Sequence, residues 1–146
     1  MAQRSNFKVR DIAAGEQTRC ARIYHDAWNS ALPGKPRVIS SADLESETQG
    51  ERMFVGVLDK EVAGFVSLWE PDCFIHHLYV DPSAQRSGLG RALIARVEAL
   101  VGHQPITLKC QLANTGAMRF YAALGFEESS DVGTDEFGRW VRLVKR

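Results

Sequence analysis

Residues 73–101 constrain the fold more than any other stretch of this chain. Residues 73–80 form an apolar, aromatic-rich run, Cys-Phe-Ile-His-His-Leu-Tyr-Val, that stops at Asp81-Pro82. A polar stretch from Ser83 to Ser87 leads to Gly88-Leu89-Gly90, after which Leu93, Ile94, Val97, Leu100 and Val101 follow the spacing of a core-facing helix. A strand, a turn and a helix in that order imply a sheet with helices laid against it.

The rest of the chain extends this unit. Phe7, Val9 and Ile12 suggest a first strand, and Cys20, Ile23, Tyr24, Ala27 and Trp28 keep the rhythm of a first amphipathic helix. Pro33, Gly34 and Pro36 interrupt it. Ser40 with Asp43 three residues later has the form of a capping signal for a short second helix reaching about residue 49. Residues 53–58 and 62–69 are two β-rich runs separated by Asp59, Lys60 and Glu61, the spacing of a tight antiparallel hairpin. Residues 106–112 read as a buried strand. Asn114 caps a helix running through Leu124, Gly125 ends it, and strands at 126–131 and 139–144 close the chain. With 146 residues, 45% of them hydrophobic, the expectation is one domain over residues 1–146.

Composition narrows the partners. Eighteen Lys plus Arg balance eighteen Asp plus Glu, so no electrostatic footprint for nucleic acid or anionic lipid is expected. No apolar run approaches the roughly 20 residues that cross a bilayer, and residues 1–9 lack an apolar signal core, which points to a cytoplasmic protein. Cys20, Cys73 and Cys110 have no CxxC spacing and read as reduced core thiols, and no metal site is expected.

The segment Gln85-Arg86-Ser87-Gly88-Leu89-Gly90 lies between strand and helix. Its two glycines can adopt positive φ, its backbone amides can approach an anion, and the helix N-terminus adds unpaired N–H groups and a positive dipole end. Arg86 and Arg91 supply full charges, so diphosphate binding is expected. A dinucleotide fingerprint wants a third glycine where Leu93 stands, and the Gly-Lys-Ser/Thr of a mononucleotide loop is absent. A plain glycine-containing turn is the competing reading.

Leu78-Tyr79-Val80-Asp81-Pro82, then Gln85 to Leu93, then Asn114 with Ala117, Phe120, Tyr121 and Leu124-Gly125-Phe126 together resemble the GNAT superfamily of acyl-CoA-dependent N-acetyltransferases. The resemblance implies an α/β fold with a mixed, strongly twisted, mostly antiparallel sheet of six or seven strands flanked by four helices. It implies that strands 73–80 and 106–112 splay apart and that acetyl-CoA occupies the cleft between them as co-substrate. Leu78, Tyr79 and Val80 would pair with the pantetheine arm through their backbone, often beside a β-bulge. Gln85, Arg86, Ser87, Gly88, Leu89, Gly90 and Arg91 would wrap the pyrophosphate, and Asn114, Ala117 and Tyr121 would line the arm from the facing helix.

Acetyl transfer needs an unprotonated amine, a donor for the developing oxyanion and a proton source for the departing thiolate. The resemblance assigns the oxyanion to a backbone N–H near Tyr79 or Val80 and the thiolate proton to Tyr121. A packed core tyrosine, sharing a helical face with Ala117 and Leu124, is the plainer reading of Tyr121. For the amine, His76 and His77 are the candidate bases. Adjacent strand residues face opposite ways, so at most one lines the cleft unless a bulge intervenes. His76 is taken as the base, since related arylalkylamine enzymes carry a histidine there, whereas Phe74 stands where histone-type relatives place a glutamate. Packing or surface roles for both histidines are the alternative.

The same resemblance brings the acceptor between loop 31–40 and the hairpin at 131–138. Asp131, Asp135 and Glu136, with Trp28 and Trp69, would suit a cationic amine, unless those charges are merely solvated. The expected activity is transfer to a primary amine of a small molecule or peptide. A non-catalytic acyl-CoA sensor is the alternative, a dinucleotide oxidoreductase a third reading, and a homodimer an analogy with relatives.

Overall fold

The computed structural model of the chain describes residues 7–146. Part of the N-terminal stretch read as lacking a signal core, residues 1–6, lies outside them. Seven strands form a single sheet in the order β1-β2-β3-β4-β5-β7-β6. These are β1 (Phe7–Asp11), β2 (Arg52–Leu58), β3 (Glu61–Trp69), β4 (Phe74–Val80), β5 (Ile106–Gln111), β6 (Glu127–Asp135) and β7 (Gly138–Lys145). Four helices cover it: α1 (Gln17–Ala31), α2 (Ser41–Glu47), α3 (Leu89–Val101) and α4 (Thr115–Ala123). Every strand pair is antiparallel except β4 with β5.

Both faces of the central strands are buried, which explains their nearly continuous apolar runs. Met53, Val55 and Val57 pack with Cys20, Ile23, Tyr24 and Leu44 under α1 and α2. Phe54, Val66 and Leu68 pack with Leu89, Leu93, Ile94 and Val97 of α3 on the other face. The Ser40 capping signal forms as read: the Asp43 N–H donates to Ser40 Oγ at 3.1 Å, and the Ser40 N–H donates to Asp43 Oδ2 at 2.9 Å. The β2–β3 hairpin turns on two residues, Asp59 and Lys60, both at positive φ (49° and 73°). That is the mirror-image turn whose twist matches the strands.

Strand β6 runs four residues beyond the expected end. Glu127–Asp135 is a polar edge strand with one solvated face, so no apolar alternation marks Val132 to Asp135, yet those residues pair with β7.

Two irregularities in β4 shape the site. It pairs with β5 only at Phe74↔Thr107 and Ile75↔Leu108, after which the strands diverge. On its other side Ser67 pairs with His77 and Leu68 with Ile75, leaving His76 as the extra residue of a β-bulge.

Candidate active site

The divergence of β4 from β5 opens a cleft of about 770 Å³. Leu78, Tyr79 and Val80 form one wall, where β4 has no β5 partner. Gln85, Arg86, Gly88, Gly90 and Arg91 form the end at the start of α3, while Asn114, Ala117 and Tyr121 face them from α4. Of the residues expected around the coenzyme, Ser87 and Leu89 do not line the cleft. Leu89 is fully buried in the α3 core, and Ser87 Oγ accepts the Leu89 N–H at 3.3 Å. The sequence reading passed over Thr115, Gly116 and Arg119, and also Ala27 and Ser30 from the end of α1. Arg119 falls on the cleft side one turn after Gly116, a spacing that becomes informative once the α4 start is known. Two helix N-termini and Arg86, Arg91 and Arg119 thus converge on a cleft with no carboxylate among its described lining residues, an electrostatic match for polyphosphate.

The loop departs from expectation in its glycines. Gly88 has φ of 91°, and the second left-handed residue is Arg86 at 65°, while Gly90 sits inside the first turn of α3. Gly90 packs closely: a Cβ there would lie 3.1 Å from the Phe120 ring, which would have to give by a few tenths of an ångström. Asp81 anchors the loop at its start. Its Oδ1 accepts the Ser83 N–H at 3.0 Å and the Ser83 hydroxyl at 2.8 Å, and Arg19 donates to its Oδ2 at 3.0 Å. Partial burial pushes the Asp81 carboxyl upward, but these donors outweigh it and hold it below the usual carboxylate range.

A second cavity of about 100 Å³ adjoins the cleft, bounded by Trp28, Leu32, His76, Lys109 and Cys110. Leu78, Tyr79, Asn114, Ala117 and Tyr121 line both. Tyr121 is 8% exposed, and burial, aided by Cys110, pushes its hydroxyl well above the ordinary tyrosine range, so it stays protonated. Asn114 does cap α4, its Oδ1 accepting the Ala117 N–H at 3.1 Å. The three cysteines are free and buried; burial pushes Cys20 up to about 12 and Cys110 up to about 11, the opposite of a poised thiolate.

The bulge decides the histidines. Instead of facing opposite ways, the His76 and His77 rings lie 4.0 Å apart. His76 lines the smaller cavity, and its Nδ1 is 2.7 Å from Glu51 Oε2. His77 is 2% exposed, with Nδ1 2.7 Å from Ser67 Oγ and Nε2 3.0 Å from Glu47 Oε1. Burial lowers the His77 pKa despite the opposing pull of Glu47. Phe74 is stacked under Arg142, with the guanidinium 5.5 Å from the ring, so no carboxylate stands at that position.

The two segments expected to admit the acceptor do meet, but with different chemistry. Arg37 of loop 31–40 lies over the rings of Trp28 (4.7 Å) and Phe137 (4.5 Å) and donates to the Tyr24 hydroxyl at 2.6 Å. Asn29 pins the Arg37 backbone through bonds of 2.7 and 2.9 Å. The acidic residues line neither cavity: Asp131 pairs with Arg142 at 2.7 Å, and Asp135 accepts from Gln111 and the Phe137 N–H. Trp28 lines the smaller cavity, whereas Trp69, 39% exposed, packs at Gly50.

Residues 18–126 match the model of the Acetyltransferase (GNAT) family. An uncharacterised N-acetyltransferase of Methanocaldococcus jannaschii is 37% identical over 75 residues, covering 49% of this chain and 31% of that protein, so the match spans under a third of that curated relative. Among solved structures, a GCN5-related N-acetyltransferase from Rhodopseudomonas palustris superposes with a TM-score of 0.81 at 19% identity, over 99% of this chain and 98% of that one. The PaiA N-acetyltransferase of Thermoplasma acidophilum, in complex with coenzyme A, superposes with a TM-score of 0.76 at 16% identity, over 94% and 98%. With the splayed β4 and β5, the cationic loop at the head of α3 and a family match over most of its length, the chain belongs to the GNAT family of acetyltransferases.

Proposed function

We propose that this protein moves the acetyl group of acetyl-CoA directly to a primary amine of a small molecule or peptide. The observation that carries the reading is Tyr121, which lines both the cationic cleft and the smaller cavity and so stands where donor and acceptor would meet. The coenzyme A in the structure of the Thermoplasma acidophilum relative supports acetyl-CoA as the co-substrate. In this reading the amides around Gly88, with Arg86, Arg91 and Arg119, hold the phosphates. The backbone of Leu78, Tyr79 and Val80 pairs with the pantetheine arm as an added strand.

The chemistry divides among three groups. His76 takes the acceptor's ammonium proton, directly or through water, with Glu51 at its Nδ1 holding the ring in place. The freed amine attacks the thioester carbon, and the N–H of Tyr79 or Val80 donates to the carbonyl oxygen as negative charge develops there. As the C–S bond breaks, Tyr121 passes its proton to the leaving sulfur, and the second proton shed by the new amide nitrogen returns through water to restore the Tyr121 hydroxyl. Arg37 and its aromatic partners form the rim that an acceptor passes. The reading treats residues 1–146 as one domain working in the cytoplasm, a setting that suits three free buried thiols.

Incubating the protein with acetyl-CoA and a panel of amines, while following free thiol, tests the proposal. Amine-dependent thiol release supports it. Tight coenzyme A binding with no turnover on any amine would instead mark a non-catalytic acyl-CoA sensor.

A further inference from the structure

We infer that Glu47, His76 and His77 form a binding site for a divalent transition-metal ion of the Zn²⁺ type. The inference goes beyond the acetyltransferase reading, because the site is built from side chains on the β4 bulge and α2 and needs no coenzyme. One ligand atom from each of the three residues lies within 4.8 Å of the others. Two imidazoles and one carboxylate are a donor set that zinc accepts, with a fourth position left for water or an acceptor atom.

Both imidazoles are held from behind. His76 Nδ1 donates to Glu51 at 2.7 Å, which leaves its Nε2 to offer. His77 Nδ1 lies 2.7 Å from Ser67 Oγ, and the Nε2 proton it shares with Glu47 is the one an incoming cation would displace, the Ser67 hydroxyl turning to accept from Nδ1. A ligating histidine almost always donates its other N–H to a neighbouring acceptor, which fixes the ring and raises its basicity. Glu47 Oε1 already lies 3.0 Å from His77 Nε2. Bonds of about 2.0–2.1 Å in a tetrahedral site put ligand atoms roughly 3.4 Å apart, so the cluster closes by a shift of about 1.5 Å at its widest. The shift falls on the two partly exposed side chains, His76 (36% exposed) and Glu47 (31%), while His77 stays fixed in the sheet.

A second observation comes from Glu51. Its side chain is 8% exposed, and its Oε1 is buried without a hydrogen-bond partner. A buried carboxylate with one oxygen left without a partner is costly, and it is stabilised when the ring it holds carries a cation. His76 also lines the smaller cavity, so an ion held there would occupy the nitrogen assigned above to the acceptor's proton. Zinc is therefore expected to slow acetyl transfer, a consequence that rests on the proposed function, whereas binding itself does not.

The test uses the full chain stripped with a chelator and titrated with Zn²⁺ against a chromophoric competitor, and with Co²⁺ by visible absorption. The expected result is one Zn²⁺ per chain and the intense absorption of four-coordinate Co²⁺. His76→Ala and Glu47→Gln should each weaken Zn²⁺ at least ~10-fold, and Glu51→Gln about 10-fold through the ring it orients. His103→Ala, an exposed histidine outside the cluster, should bind as wild type. Circular dichroism and melting confirm that each variant is folded. Folded wild type that fails to take Zn²⁺ from the competitor overturns the inference, as does binding that survives in both His76→Ala and Glu47→Gln. Because no acetyl-CoA is present, absent amine turnover leaves this result standing, and absent zinc binding leaves the transferase reading standing.

Discussion

Tyr121 sits edge-on to the rings of Phe120 at 5.2 Å and Phe126 at 5.4 Å, so phenylalanine in its place keeps the packing and removes one hydroxyl. Tyr121→Phe should therefore lower kcat about 100-fold, the lower range for a lost general acid, while calorimetry shows the coenzyme A Kd changed by less than about twofold. Equal losses in coenzyme binding and kcat would assign Tyr121 to binding alone. Asp81 offers a pH test. Its folded pKa is depressed, so its contribution is fully present above the unfolded carboxyl value near ~3.9 and disappears as pH falls through the folded value. Asp81→Asn should cost about 1.5–3 kcal/mol at pH 7, the range for hydrogen bonds to a charged group, with the gap in urea unfolding closing as pH falls through the depressed folded value. The residue scale is also where parity reasoning stopped short: alternation put His76 and His77 on opposite faces, and one extra residue in β4 put their rings side by side.

Between elements, the loop around Gly88 is seated by the sheet beneath it. A Cβ on Gly56 of β2 would lie 2.6 Å from Leu89 Cδ1, and Leu89 follows Gly88 at the head of α3. Gly56→Ala should destabilise the fold by about 1–3 kcal/mol through overpacking and, by lifting the start of α3, weaken coenzyme A several-fold. Chemical denaturation and calorimetry measure the two effects. Stability lost without weaker coenzyme binding would show that the loop does not depend on this seat. Element existence was readable because periodicity is local: α1 and the β2–β3 hairpin stand where the apolar pattern placed them, and Ser40 with Asp43 form the reciprocal cap. The extension of β6 was not readable, since a solvated edge strand carries no apolar alternation.

For the whole molecule, the cationic cleft predicts ligand-linked stability. Coenzyme A at 100 times its Kd should add about 2.7 kcal/mol, raising Tm by roughly 5–10 °C for a chain of this size, while NAD leaves Tm unchanged. The shift should shrink as salt rises, because Arg86, Arg91 and Arg119 act on the phosphates through screened charge. A shift with NAD equal to that with coenzyme A, or one indifferent to salt, would contradict the electrostatic account. The amino-acid sequence alone was enough for the order of strands and helices along the chain, the glycine turn at the head of α3 and the GNAT resemblance, because caps, turns and amphipathic periods act over a few residues. Tertiary structure decided the rest: the Arg119 contribution, the aromatic Arg37 rim in place of acidic walls, and the convergence of Glu47, Glu51, His76 and His77. Those features depend on strand register and on contacts between residues up to 100 positions apart, as between Arg37 and Phe137, which no local pattern encodes.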